Sequence, residues 1–235
     1  MKVNEAIILA GGLGTRLREV TGTLPKVMAP VGGRPFLEYL LNYLAVNKIK
    51  KVILATGYES EVLKSHFGDS FKGLSIKWSD EEEPLGTGGA ILQATAFAES
   101  DSVFILNGDT LFDVPLEAMA DETGRNFSSI SLALKPMIDF DRYGSVEIKN
   151  GIITSFQEKK FCREGLINGG VYLLSCNWLI NRAPGIKFSF EKDILEKYVS
   201  QKEIAAFICD NYFIDIGIPA DFRRAQTEIP QKLPL

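Results

Sequence analysis

An arginine and a lysine beside a glycine-rich turn are the first residues in this chain whose types and spacing could do chemistry. Directly after the apolar run Ala6-Ile7-Ile8-Leu9-Ala10 the chain reads Gly11-Gly12-Leu13-Gly14-Thr15-Arg16-Leu17, and Pro25-Lys26 follows before the first helical pattern. Glycines at a strand end let the backbone come close to a ligand and turn N–H groups toward phosphate oxygens. Arg16 offers such oxygens a rigid fork, and Lys26 a mobile point charge. Open α/β sheets bind ligands at the carboxyl ends of their strands, so a long loop there with both cations suits a triphosphate. A plain glycine turn or a solvated lysine would explain either feature alone; the combination carries the signal. Two better-known phosphate loops do not fit. A P-loop ends in Gly-Lys-Ser/Thr, where this chain has Gly14-Thr15-Arg16, and a dinucleotide fingerprint needs a third glycine where Leu17 stands.

The elements that must hold this loop alternate. Residues 6–10, 51–55, 74–78 and 102–106 are apolar, strand-like runs, and residues 36–47, 60–67 and 89–98 carry helical patterns between them. Phe36, Leu37, Leu40, Leu41 and Leu44 form one apolar stripe at helical spacing. Strands alternating with helices predict βαβ units and a mainly parallel sheet. After about residue 128 the texture changes to strand-like 129–134, 144–148, 152–156 and 170–174, with Asn150-Gly151 as a hairpin turn. Helical patterns return at 178–182 and 191–199, followed by strand-like 204–208 and 212–216 and a short polar end. The expected fold is α/β: a Rossmann-like, mainly parallel mixed sheet flanked by helices, without internal repeats.

Composition narrows the function classes. With 26 Lys and Arg against 30 Asp and Glu, the net charge of −4 gives no general basic face, so a nucleic-acid partner is not expected. Small phosphorylated ligands need only a few placed cations. No apolar run approaches a membrane span, and 6–10 is too short for the apolar part of a signal peptide. Cys162, Cys176 and Cys209 are odd in number and widely spaced, which supports neither a disulfide framework nor a zinc site. A cytoplasmic protein with reduced thiols is expected. The acidic run Asp80 to Glu83 reads as a solvated loop, and the single histidine, His66, lies in an ordinary helical stretch.

The motifs in order resemble the sugar-1-phosphate nucleotidyltransferase family. After the glycine loop and Pro25-Lys26 come Pro84-Leu85-Gly86-Thr87-Gly88-Gly89-Ala90, Asn107-Gly108-Asp109, Tyr143-Gly144, Glu158-Lys159, Asn168-Gly169-Gly170-Val171-Tyr172 and Asp215-Ile216-Gly217. Each tripeptide is weak alone; the series is specific. The resemblance implies one domain over residues 1–235, with a nucleotide-binding part of about 1–127 and a sugar-binding, sheet-completing part of about 128–226. It implies that a sugar-1-phosphate oxygen attacks the α-phosphorus of a nucleoside triphosphate and pyrophosphate leaves. The nucleophile is already an anion, so positioning and charge neutralisation do the work.

By the same resemblance, Arg16 holds the β/γ-phosphates, Lys26 the α-phosphate region and Lys159 the sugar phosphate. Asp109 and Asp215 hold Mg2+, a hard cation that takes carboxylate and phosphate oxygens. Each aspartate also reads as a turn or cap residue when taken alone. The nucleotide contacts implied are Leu9, Gly11, Gly12, Gly14, Thr15, Gly86, Thr87, Gly88 and Gly89. Those implied for the sugar phosphate are Asn107, Gly144, Glu158 and Asn168, with Glu158-Lys159 otherwise a surface ion pair. Departures from the family pattern are Lys160 where proline is frequent, Ile218 where threonine is common, and no hexapeptide-repeat tail.

Within the family, the chain is most similar to the D-glycero-α-D-manno-heptose 1-phosphate guanylyltransferases. The segments that carry this likeness are 84–90, 107–110, 188–193 and 213–217. The substrates this implies are GTP and the heptose 1-phosphate. N-acetylmuramic acid 1-phosphate uridylyltransferases share the length and much of the motif set. Two readings come from other classes: Asp139-Phe140-Asp141 spells the D-x-D of metal-dependent glycosyltransferases, and the loop also suits a non-catalytic nucleotide-binding module. Oligomeric state is open on sequence grounds.

Overall fold

The computed structural model describes residues 2–12, 24–57 and 59–233. Gly14, Thr15 and Arg16 therefore lie outside the described residues. Strand β1 (Glu5–Leu9) has a parallel neighbour on each side, which is why its apolar run is unbroken. Ala6 and Ile8 face one core and Ile7 the other. A 3₁₀ turn, Lys26–Met28, and a hairpin of β2 (Pro30–Val31) and β3 (Arg34–Pro35) lead into α1 (Phe36–Val46). The expected stripe of α1 is buried, together with Tyr39 and Tyr43. Next come β4 (Lys51–Thr56), α2 (Ser60–Phe67), β5 (Ser70–Phe71), β6 (Leu74–Asp80), α3 (Gly86–Thr95), β7 (Ser102–Asn107), β8 (Thr110–Phe112) and α4 (Leu116–Arg125).

The second half supplies β9 (Ile130–Phe140), β10 (Gly144–Lys149), β11 (Ile152–Lys159), β12 (Cys162–Ser175) and α5 (Cys176–Ile180). A π-helical segment (Phe190–Glu196) and a 3₁₀ turn (Val199–Gln201) precede β13 (Ile204–Ile208), β14 (Phe213–Asp215) and α6 (Pro219–Lys232). Asn150 and Gly151 both have positive φ, as the two-residue turn between β10 and β11 requires. The polar end expected after residue 216 is instead helix α6, which buries Phe222, Ala225 and Ile229 along one face.

Among the described residues ten strands form one mixed sheet in the order β10-β11-β13-β9-β12-β7-β1-β4-β6-β5. Parallel pairing joins β7, β1, β4 and β6, and also β9 with β13; the other pairings in this sheet are antiparallel. The parallel share is smaller than strand–helix alternation suggests, because β9 to β12 follow one another without the crossover helices parallel neighbours need. One core lies beneath α1, α2, α4 and α6, the other beneath α3, α5 and the π-helical segment. No helix among the described residues is long and apolar enough to cross a membrane.

Register brings the chemistry-bearing turns together. Leu9 and Asn107 are partners across β1 and β7, so the glycine loop and Asn107-Gly108-Asp109 leave the sheet side by side. Gly108 N–H donates to the Leu9 carbonyl at 3.1 Å, and a Cβ there would lie 2.3 Å from that oxygen, so only glycine fits. A separate antiparallel pair, β8 with β14, sets Asp215 opposite Thr110, and Ile216 N–H donates to the Asp109 carbonyl at 2.9 Å. Two aspartates far apart in sequence thus flank one spot.

Candidate active site

A cavity of about 340 Å³ opens at the carboxyl ends of β1 and β7, where Leu9, Gly11, Gly12, Lys26, Asn107 and Asp109 contribute to its lining. The Lys26 side chain is 11% exposed, and its Nζ lies 2.5 Å from Asp109 Oδ2. A Cβ built on Gly217 would stand 3.2 Å from Lys26 Nζ and 2.7 Å from Asp215 Oδ1. The ammonium is therefore paired with Asp109 and has the Asp215 carboxylate nearby. Asp215 Oδ1 accepts the Gly217 N–H at 2.6 Å, and its Oδ2 accepts the Tyr143 hydroxyl at 3.2 Å and Arg142 Nη2 at 3.5 Å. Burial and the Asp215 charge push the Tyr143 hydroxyl pKa well up, so it stays a donor.

Among the described residues no group of three or more His, Cys, Asp or Glu forms a metal cage. Asp109 and Asp215, on adjacent turns, make a donor set that suits magnesium, which takes one or two carboxylates together with substrate phosphates and waters.

A second cavity of about 550 Å³ is lined in part by Gly144, Glu158, Lys159 and Asn168. Gly144 pairs with Lys159 across β10 and β11, and a Cβ on Gly144 would lie 2.2 Å from the Gln157 carbonyl. Close strand approach explains that glycine. Glu158 and Lys159 are exposed at the end of β11. Asn168 is oriented from within β12: its amide donates to the Tyr172 hydroxyl at 2.9 Å and its Oδ1 accepts Gly170 N–H at 3.0 Å. Glu191 lines both cavities.

Asn107, expected with the sugar-phosphate contacts, lines the first cavity beside Lys26 and Asp109. Gly86 and Thr87 line it too, but the Gly88 and Gly89 N–H groups are engaged by the Phe188 carbonyl at 3.0 and 3.3 Å. A Cβ on Gly88 would lie 2.2 Å from the Phe188 ring, and one on Gly89 2.3 Å from the Ile186 carbonyl. Those two glycines admit segment 186–188. Thr87 is also committed: its hydroxyl donates to Glu191 at 2.6 Å and accepts Phe190 N–H at 2.9 Å. Helix α3 begins at Gly86, where the sequence pattern suggests 89.

Glu81, part of the acidic run expected to be solvated, instead lines the first cavity. Its Oε2 accepts Leu85 N–H at 2.8 Å, and its Oε1 lies 3.1 Å from where a Gly11 Cβ would be. Burial raises its pKa, partly offset by that N–H. An acidic residue in an acidic run gives no sequence signal of this; only the turn to Leu85 reveals it. Asp139 and Asp141, the D-x-D pair, line an outer hollow with Arg142 and Asp215, and like Asp215 they are absent from the lining of both cavities. His66 packs edge-on against Phe67 away from either cavity.

A mixed sheet with a lysine–aspartate pair beside the ends of its central parallel strands suits a protein that handles a phosphorylated ligand. The chain belongs to the nucleotidyl transferase family, whose model matches residues 5–232. It is 49% identical over 225 residues to D-glycero-alpha-D-manno-heptose 1-phosphate guanylyltransferase of Aneurinibacillus thermoaerophilus, covering 96% of this chain and 98% of that protein. Identity is also 49% over 219 residues to the protein of the same name from Campylobacter jejuni, covering 93% and 96%. The crystal structure of HddC from Yersinia pseudotuberculosis superposes with a TM-score of 0.87 at 35% identity, covering 97% of this chain and 100% of that one. The same protein complexed with GMP-PN gives 0.85.

Proposed function

We propose that this protein transfers the guanylyl group of GTP to D-glycero-α-D-manno-heptose 1-phosphate, giving GDP-heptose and pyrophosphate. The observation that carries the reading is the Lys26–Asp109 pair in one cavity, with Lys159 in a second cavity that shares Glu191 in its lining. The near-full-length likeness to two heptose 1-phosphate guanylyltransferases supports the choice of sugar, and the GMP-PN complex of HddC supports the base. A phosphate oxygen of the sugar 1-phosphate forms the new P–O bond at the α-phosphorus while the bond to the β-phosphate oxygen breaks. No proton transfer is required, since both attacking and leaving groups are anions.

Lys26 neutralises and orients the α-phosphate, Arg16 the β/γ-phosphates, and Lys159 the incoming sugar phosphate, with Glu158 and Asn168 on its hydroxyls. Asp109 and Asp215 would hold Mg2+, which when bound supplies positive charge at the attacked phosphate. Three free cysteines support a reducing, cytoplasmic setting. The nucleotide-binding part is assigned to about residues 1–127 and the sugar-binding part to about 128–226 of one domain.

Glu81 is assigned to base selection. Guanine presents two neighbouring donors, N1–H and N2–H, and an ionised carboxylate is acceptor-only. Uracil and thymine present a donor flanked by carbonyls, which a carboxylate repels. The test is a matrix of nucleoside triphosphates against sugar 1-phosphates with Mg2+, read as pyrophosphate release, for the wild type and Glu81→Gln. Fastest turnover is expected with GTP and the heptose 1-phosphate; a stronger response to UTP, or sugar transfer without pyrophosphate, would overturn the reading. Glu81→Gln should raise the GTP KM about 10–100-fold, the value of charge-assisted hydrogen bonds. GTP binding should also weaken as pH falls through the raised Glu81 pKa, and this limb should vanish in the variant.

A further inference from the structure

The Asp215 carboxylate is tied to the C-terminal helix through Arg142. The Arg142 fork divides: Nη2 reaches Asp215 Oδ2 at 3.5 Å, while Nη1 donates closely to Asp221 Oδ2. Asp221 lies in the first turn of α6, is buried, and accepts a second hydrogen bond from Arg224 Nη1 at 2.9 Å. The guanidinium carbon is 5.4 Å from the centroid of the Tyr143 ring, whose hydroxyl donates to the same Asp215 oxygen. Helix α6 also grips the turn beyond Lys26: Gln226 accepts Gly32 N–H at 3.1 Å and donates to the Pro30 carbonyl at 2.9 Å.

The division of the fork has an electrostatic consequence. Guanidinium pairs most strongly when it faces one carboxylate with both N–H groups. Were the Asp221 carboxylate replaced by an amide, both would be free to close on Asp215. With that carboxylate in place, the tighter contact goes to the helix, and Asp215 is held by the longer one. A buried carboxylate is expensive unless fully paired; here two arginines pair it, one of them shared with Asp215.

We infer that Arg142 and Asp221 are positioning residues: Asp221 draws Arg142 back, so that α6 sets how strongly Asp215 can hold a divalent cation. The inference rests on the assignment of Asp215 to the metal. Its test is Mn2+ binding, followed by electron paramagnetic resonance, to the full chain with the α,β-methylene analogue of GTP. Asp221→Asn should weaken Mn2+ about tenfold, as loss of a partner behind a metal ligand does, with analogue affinity in the absence of metal unchanged. In an Arg142→Gln background the same substitution should change Mn2+ affinity less than about twofold, because its effect acts through the guanidinium. Wild-type Mn2+ affinity in Asp221→Asn, or an undiminished effect in the Arg142→Gln background, overturns the inference. Should Asp221→Asn not fold, Arg142→Gln alone must shift the Mn2+ dissociation constant at least about fivefold, and equality with wild type overturns it. Asp215→Asn separates the two levels: wild-type Mn2+ affinity there removes Asp215 from the metal site altogether.

Discussion

Asp109→Asn is expected to lower turnover about a thousandfold, or ~4 kcal/mol of transition-state stabilisation, the scale of losing a metal-holding charge. The fold should be kept. The turn around residue 109 is fastened by backbone, through Gly108 N–H on Leu9 and Ile216 N–H on the Asp109 carbonyl, and neither bond uses the side chain. The side chain itself is 31% exposed, and asparagine retains an oxygen for the Thr110 hydroxyl that Asp109 Oδ1 now accepts at 3.1 Å. What the variant loses is the negative charge beside Lys26. Steady-state rates across a Mg2+ series, with thermal melts alongside, check this. Near-wild-type turnover at ordinary Mg2+ would take Asp109 out of the metal site.

Lys159→Ala has the second largest expected effect, of a different kind. Lys159 stands exposed at the end of β11 in the second cavity, so its removal should leave stability unchanged. One charge-assisted contact to a phosphate is worth roughly 1.5–3 kcal/mol, so the KM for sugar 1-phosphate should rise about 30-fold. The KM for GTP should move little, because the triphosphate is assigned to the Lys26 side. Initial rates with each substrate varied in turn discriminate the two. A rise confined to the GTP KM would contradict the assignment of Lys159 to the sugar phosphate.

The residues that resist sequence reading share a physical cause. Lys26, Asp109 and Lys159 stood out because each stands in a short motif, and the motifs keep their order along the chain; the fold pairs the first two and sets Lys159 in the second cavity. Glu81 was not, since its acidic neighbours look the same until the bond to Leu85 N–H turns it toward Gly11. Gly88 and Gly89 read as room for a base, yet the room is taken by Phe188 and Ile186, which sit about a hundred residues away in sequence. Asp221 and Arg142 depend on α6. Its signals were present, with Pro219 at the first helical position and Phe222, Ala225 and Ile229 at helical spacing, but a polar composition and Pro230 near its end obscured them. Strand direction in the second half was hidden for a similar reason, as pairing partners are chosen by the tertiary fold.

The central claim is direct transfer: one anion displaces pyrophosphate from another, with no covalent intermediate on the protein. The most direct test uses GTP made chiral at the α-phosphorus by sulfur substitution, and determines the configuration of the GDP-sugar product. A single in-line displacement predicts inversion. Retention would contradict it, because a side chain, with Lys26 the foremost nitrogen in the cleft, would then first take the guanylyl group and afterwards pass it on.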